Sequence, residues 1–142
     1  MLVRVALALL MMGSVAGAQD QKADPKLDSK RLAVDLVQAE LSVCMAYYTF
    51  VRGCAIERSE INLASQSTET VDKLRKYAFQ AGQTINMDAD AMLSRLKIAL
   101  EQQGKLLEGN CENMPKLTAA YGERCKKIAD DPQAVLDQYL KR

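Results

Sequence analysis

Cys44-Met45-Ala46-Tyr47-Tyr48-Thr49-Phe50-Val51-Arg52-Gly53-Cys54 is the stretch on which the fold turns. Two cysteines bracket three aromatic residues, and a second pair, Cys111 and Cys125, lies far downstream. In a small chain exported to an oxidising space, an even cysteine set is first a disulfide framework. A helical period surrounds the stretch, through Leu32, Leu36, Val37, Val43, Cys44, Tyr47, Tyr48 and Val51. Asp28 or Ser29 is the expected N-cap, and Gly53 the expected stop.

Helix rise then weighs the cysteine pairings. Ten residues of helix hold Cys44 and Cys54 about 15 Å apart, whereas a disulfide needs Cα atoms within roughly 4.4–6.8 Å. The same objection applies to Cys111, before a later helix, and Cys125, about ten residues into it. Local pairs, Cys44–Cys54 and Cys111–Cys125, therefore need a helix that breaks early. Cross-helix pairs, Cys44–Cys125 and Cys54–Cys111, need only that the first and fourth helices lie antiparallel, with Tyr47 and Tyr121 between the rungs. The spacing favours the cross-helix rungs; sequence alone leaves the local and crossed pairings open.

Outward from this stretch the period stays helical. A second helical segment carries Ile56, Ile61, Leu63, Val71, Leu74, Ala78, Ala81 and Ile85, with a kink or mobile loop expected in the polar run from Ser65 to Thr70. Asn86 is the expected cap of a third helix, with Asp88 and Asp90 in its first turn, where the helix dipole favours negative charge. That helix ends near Gly109-Asn110. A fourth starts at Asn113-Met114-Pro115, because proline is tolerated only in a first turn. Asp131-Pro132 opens a short last helix. With no strand-like alternation, the expected fold is all-α: a disulfide-stapled four-helix bundle, up-down-up-down, with a short C-terminal fifth helix.

The N-terminus reads as an export signal. Arg4 precedes an apolar run from Val5 to Met12, and Ala16-Gly17-Ala18 is an A-x-A cleavage pattern. The run is shorter than the roughly 20 residues that span a bilayer. The expected organisation is a signal at 1–18, cut after Ala18, a flexible lead at 19–27 and one helical domain at 28–142. Loss of Arg4 takes the formal charge of the 142-residue chain from +1 to zero. A neutral chain with no basic run argues against nucleic acid and against stable attachment to an anionic membrane.

The missing residues exclude much chemistry. The chain has no histidine, which removes Ser-His-Asp and Cys-His nucleophile systems and imidazole metal sites. No C-x-x-C occurs, and the cysteines are too widely spaced for an ordinary structural zinc site. Met45, Met87, Met92 and Met114 fall at core-like positions and suit gap filling better than copper ligation. No cofactor is expected. Glu57 and Glu60, three apart on one helix face, are the one carboxylate pair with a conceivable hydrolytic role, although local ion pairing is the commoner use of such spacing.

Tyr47, Tyr48 and Phe50 are the expected partner-binding residues. They belong to a run too long to face one side of a single helix, so some either pack beneath the helix 1–2 turn or the tail helix or point outward, where exposed aromatics anchor protein interfaces. The functional expectation is a non-catalytic helical protein, periplasmic or secreted, that binds another envelope protein as inhibitor, immunity-type protein, chaperone or accessory subunit. The alternatives are a bundle that holds a small apolar ligand between its helices and, less favoured, a carboxylate-based envelope hydrolase.

Overall fold

The charge-free run from Leu41 to Val51 lies at the middle of the molecule. In the computed structural model, which describes residues 25–141, it forms part of a long helix α1 (Pro25–Glu57). Leu41, Ser42, Cys44, Met45, Ala46 and Tyr47 are all buried. Six positions within seven residues cover every side of a helix, so α1 is enclosed all round. The enclosing elements are α2 (Ile61–Thr84), α3 (Ala89–Leu107), α4 (Met114–Asp130) and α5 (Pro132–Leu140), each packed on α1. A single 3₁₀ turn (Cys111–Asn113) leads into α4. Among the described residues there is no strand.

Two disulfides tie α4 to this central helix. Cys44 is bonded to Cys125 and Cys54 to Cys111, with Cα–Cα distances of 5.1 and 5.4 Å. These are the cross-helix rungs; neither local pair forms. Because the earlier α1 cysteine takes the later partner, α1 and α4 run antiparallel. Tyr47 fills the space between the rungs, its hydroxyl 3.5 Å from Thr118 Oγ1 on α4. Gly122 leaves room for that hydroxyl, since a Cβ there would stand 3.3 Å from it and crowd Thr118. Tyr121 packs at the edge of the same core, with the Arg124 guanidinium 5.4 Å from its ring. Arg124 also pairs with Glu40 on α1 at 3.1 Å.

The third helix is held by polar anchors. Arg95 pairs with Asp35 at 2.7 Å and donates to Gln38 Oε1 at 2.7 Å. One helical stretch further on, Gln103 donates to the Val43 carbonyl at 2.8 Å. Ascending partners on both helices make α3 parallel to α1. On α2, Lys73 donates to the carbonyls of Ala129 and Asp130, which α4 leaves open at its C-terminus. Val135, Leu136 and Tyr139 close the core from α5.

Four local expectations are corrected. Gly53 does not stop α1, which continues to Glu57; Cys54 and Ala55 are buried just beyond it, and their packing outweighs the modest helix penalty of one glycine. Helix α1 ends instead at Ser59, left-handed with φ 59°, as Glu60 N–H returns to the Ala55 carbonyl at 2.8 Å. Asn86 does not cap α3: it is the left-handed residue (φ 56°) that closes α2, with Met87 N–H bonded to the Gly82 carbonyl at 2.9 Å. Asp88 is the cap, accepting from Ala91 N–H at 2.6 Å. Both closures have the Schellman pattern, in which glycine is commonest and asparagine less so.

Nor does the polar run break α2. Thr68 and Thr70 donate to the carbonyls of Ala64 and Gln66, both at 2.9 Å, and Ser67 is buried. These hydroxyls find acceptors inside the helix, which removes the reason to leave it. At the N-terminus, α1 begins at Pro25, ahead of the expected cap at Asp28 or Ser29, so Pro25–Leu27 of the expected lead are helical. The expected signal at 1–18 and the lead residues 19–24 lie outside the described residues. The starts at Met114-Pro115 and Asp131-Pro132 are as expected, with Asp131 accepting from Ala134 N–H at 3.0 Å.

The rungs close long loops, 81 and 57 residues apart in sequence. Closing a loop of the first length restricts the unfolded chain by about 4 kcal/mol, and by less once the second bond is in place. Cys44→Ala with Cys125→Ala is therefore expected to lower urea-unfolding stability by about 3 kcal/mol. A loss below about 1 kcal/mol would contradict the bracing role.

Candidate functional site

Helices α2 and α3 both sit on α1 and touch each other far less than either touches α1, with one close approach near their connecting turn. At that turn they come close because residue 82 is glycine: a Cβ there would run into the Met92 thioether. Between them lies an open groove of about 280 Å³ with α1 as its floor. That volume is at the lower edge of the range for small-molecule pockets, about 300–1,000 Å³.

The lining is almost wholly carbon and sulfur. Met45 rises from α1, Ala78 and Phe79 come from α2, and Met92, Leu93 and Leu96 from α3. Gln38 and Ser42 are the polar residues of the floor, and their polar atoms are already engaged. Gln38 Nε2 donates to Ser42 Oγ at 3.3 Å, Ser42 Oγ donates to the Gln38 carbonyl at 3.1 Å, and Gln38 Oε1 accepts from Arg95. Phe79 is 50% exposed and Leu93 63% exposed at the mouth. Apolar surface held open in this way is unfavourable in water, at roughly 25 cal/mol per Å², and covering it would favour a bound state.

The expected partner-binding residues are in a different place. Tyr47 is 7% exposed and packs between the rungs. Tyr48 meets the Tyr47 ring edge-on, with centroids 5.1 Å apart, and is half-buried against the core. Phe50 is half-buried too, its ring over Gly104 on α3. Of the two expected placements, packing under neighbouring segments is the one seen for Tyr47, with Tyr48 and Phe50 half-buried, because α1 is enclosed on all sides at its middle. Burial, the neighbouring Tyr47 and the charge of Asp130 together push the Tyr48 hydroxyl above the usual tyrosine range.

Glu57 and Glu60 are exposed on either side of the α1–α2 turn. Arg58, between them, donates to the Cys111 carbonyl at 2.6 Å, so it braces the segment entering α4. Among the described residues, no cluster of three or more His, Cys, Asp or Glu side chains could hold a metal ion, and no helix is long and apolar enough to cross a membrane.

The sequence places Met92 at a core-like position and singles out none of Leu93, Leu96 and Phe79. The usable signal was register. The buried positions of α2 include Leu74, Ala78 and Gly82, and those of α3 are Ala99, Gln103 and Leu107. Phe79 and Leu93 fall beside those faces.

Two measurements check the packing. Gly82→Ala is expected to push the flexible Met92 thioether aside into the groove and to leave urea-unfolding stability within about 1 kcal/mol, because the helix-propensity gain over glycine offsets the displacement. The raised Tyr48 hydroxyl sets an alkaline limit: its contribution is intact below about pH 10, the value in the unfolded chain, and is lost as pH rises through the higher folded value. Tyr48→Phe should flatten the decline in urea stability measured between pH 9 and 11. Comparison with protein-family models, curated proteins and solved structures found no match to this chain.

Proposed function

We propose that this chain is an exported, non-catalytic binding protein that holds a small apolar guest in the groove between α1, α2 and α3. The observation that carries the reading is the lining itself: an open concavity on three helices whose polar floor atoms satisfy one another. Nothing polar is left in the interior to discriminate by hydrogen bonds, so the guest is recognised by apolar contact and fit. Met45 and Met92 are unbranched and polarisable, and can adjust to its shape. The signal-like residues 1–18 and the two disulfides support a periplasmic or secreted location. The first four helices are read as an up-down-up-down set gathered round α1. The parallel α1–α3 anchors and the antiparallel α1–α4 rungs support that order.

A protein partner is the second reading, and it moves to a new surface. Ile56 is 63% and Ile61 77% exposed across the α1–α2 turn. They supply an apolar contact that the packed aromatic run does not.

Fluorescence titration of the oxidised protein with 1-N-phenylnaphthylamine distinguishes the two readings. The groove reading predicts saturable binding of one probe per chain. Leu93→Glu should weaken it at least tenfold while unfolding stability stays within about 0.5 kcal/mol, as expected for an exposed site. Saturating guest should also stabilise the fold, by about 2.7 kcal/mol at a hundredfold excess over Kd. Binding that is absent, or indifferent to Leu93→Glu, would count against the groove.

A further inference from the structure

The groove has a single charged side chain in its lining, Arg75 on α2. Resting on the binding reading above, we propose that the guest is a single-chain amphiphile with an anionic head, of which a medium-chain fatty acid is the simplest. Its carboxylate meets Arg75 and its chain lies along Met45, Leu96 and Met92.

Charge selects the head. No carboxylate lines the groove itself, and the carboxylate beside it, Asp72, is already paired with Arg75, so a cationic head would find no free counter-charge there. The nearest acid on α3, Asp90, lines a separate hollow with Lys97 on the other side of Leu93 and Leu96. Arg95 offers no competing site, because Asp35 and Gln38 already occupy it. Arg75 has only a surface pair, to Asp72 one turn away at 2.9 Å, with the two side chains 69% and 58% exposed. Such pairs contribute little, and a guanidinium carries five N–H donors in a fork that fits a carboxylate. The arginine can therefore take a carboxylate at small cost.

Position and width select the chain. Beyond Arg75 the groove is lined by Ala78 and Phe79 of α2, from Gln38 to Met45 on α1 and from Ala89 to Leu96 on α3. Seven residues of helix separate the ends of each of the last two spans, about 10 Å, which suits a medium-length chain. A volume of about 280 Å³ admits one slim chain and not the paired chains of a phospholipid. The satisfied floor leaves no polar atom to hold a head group midway. The head is thus directed to Arg75 and the tail to the apolar lining.

The test is displacement of 1-N-phenylnaphthylamine from the oxidised full chain by decanoate, decanol and decylamine, each below its micellar concentration. Decanoate is expected to displace the probe at about tenfold lower concentration than the other two. Arg75→Gln should raise the decanoate requirement about tenfold and leave decanol unchanged. Arg75→Lys, a point charge without the fork, should fall between. The exposed site makes an unchanged thermal midpoint the control for folding. Equal potency of the three compounds, a preference for decylamine, or indifference of decanoate to Arg75→Gln would overturn the anionic-head proposal while leaving the groove reading in place. Failure of the probe and of all three compounds to bind would overturn both.

Discussion

Everything in this molecule is arranged on one helix that has no solvent side at its middle. Between Leu41 and Tyr47, α1 is enclosed by its neighbours, and every other helix is placed by what it finds there. The two disulfides convert part of that packing into covalent register. With Cys44 joined to Cys125 and Cys54 to Cys111, α4 can neither slide along α1 nor reverse its direction. Tyr47 then has a fixed space between the rungs, and the absence of a side chain at Gly122 keeps it open.

The groove is a consequence of the same arrangement. Helices that share α1 as a common support need not touch one another, and α2 and α3 touch little, with a close approach where Gly82 admits Met92. Over that length α3 is anchored by directional bonds, Arg95 to Asp35 and Gln38, and Gln103 to the Val43 carbonyl. Directional anchors fix its position without requiring its inner face to be sealed against α2. What remains between them is an apolar concavity with exposed Phe79 and Leu93 at its edges and Arg75 in its lining. Rigidity from the rungs and an unsealed α2–α3 face together make a scaffold suited to holding something else.

Much of the architecture was legible in the residues, because it rests on local rules with hard geometric limits. Helix rise set Cys44 too far from Cys54 to bond, and the proline-marked starts at Pro115 and Pro132 reflect a ring that only a first turn accepts. Termination was less legible. Ser59 and Asn86 take left-handed conformations usual for glycine, while Gly53 sits inside a continuing helix, because tertiary burial of Cys54 and Ala55 outweighs local preference. The packing of Tyr47, Tyr48 and Phe50 is less legible for a related reason. The absence of charge from Leu41 to Val51 marks a helix buried on all sides, while periodicity reads the aromatic run against one buried face. The groove itself depends on how three helices sit together, which no periodicity within one helix encodes; only the off-register Phe79 and Leu93 hint at it.

Native-state amide hydrogen exchange, with and without saturating decanoate, tests the central claim most directly. The account predicts slowed exchange concentrated in α2 around Arg75 to Gly82 and in α3 around Ala89 to Leu96, with the already protected centre of α1 little changed. Protection appearing instead around the α1–α2 turn at Ile56 and Ile61, or nowhere, would contradict it.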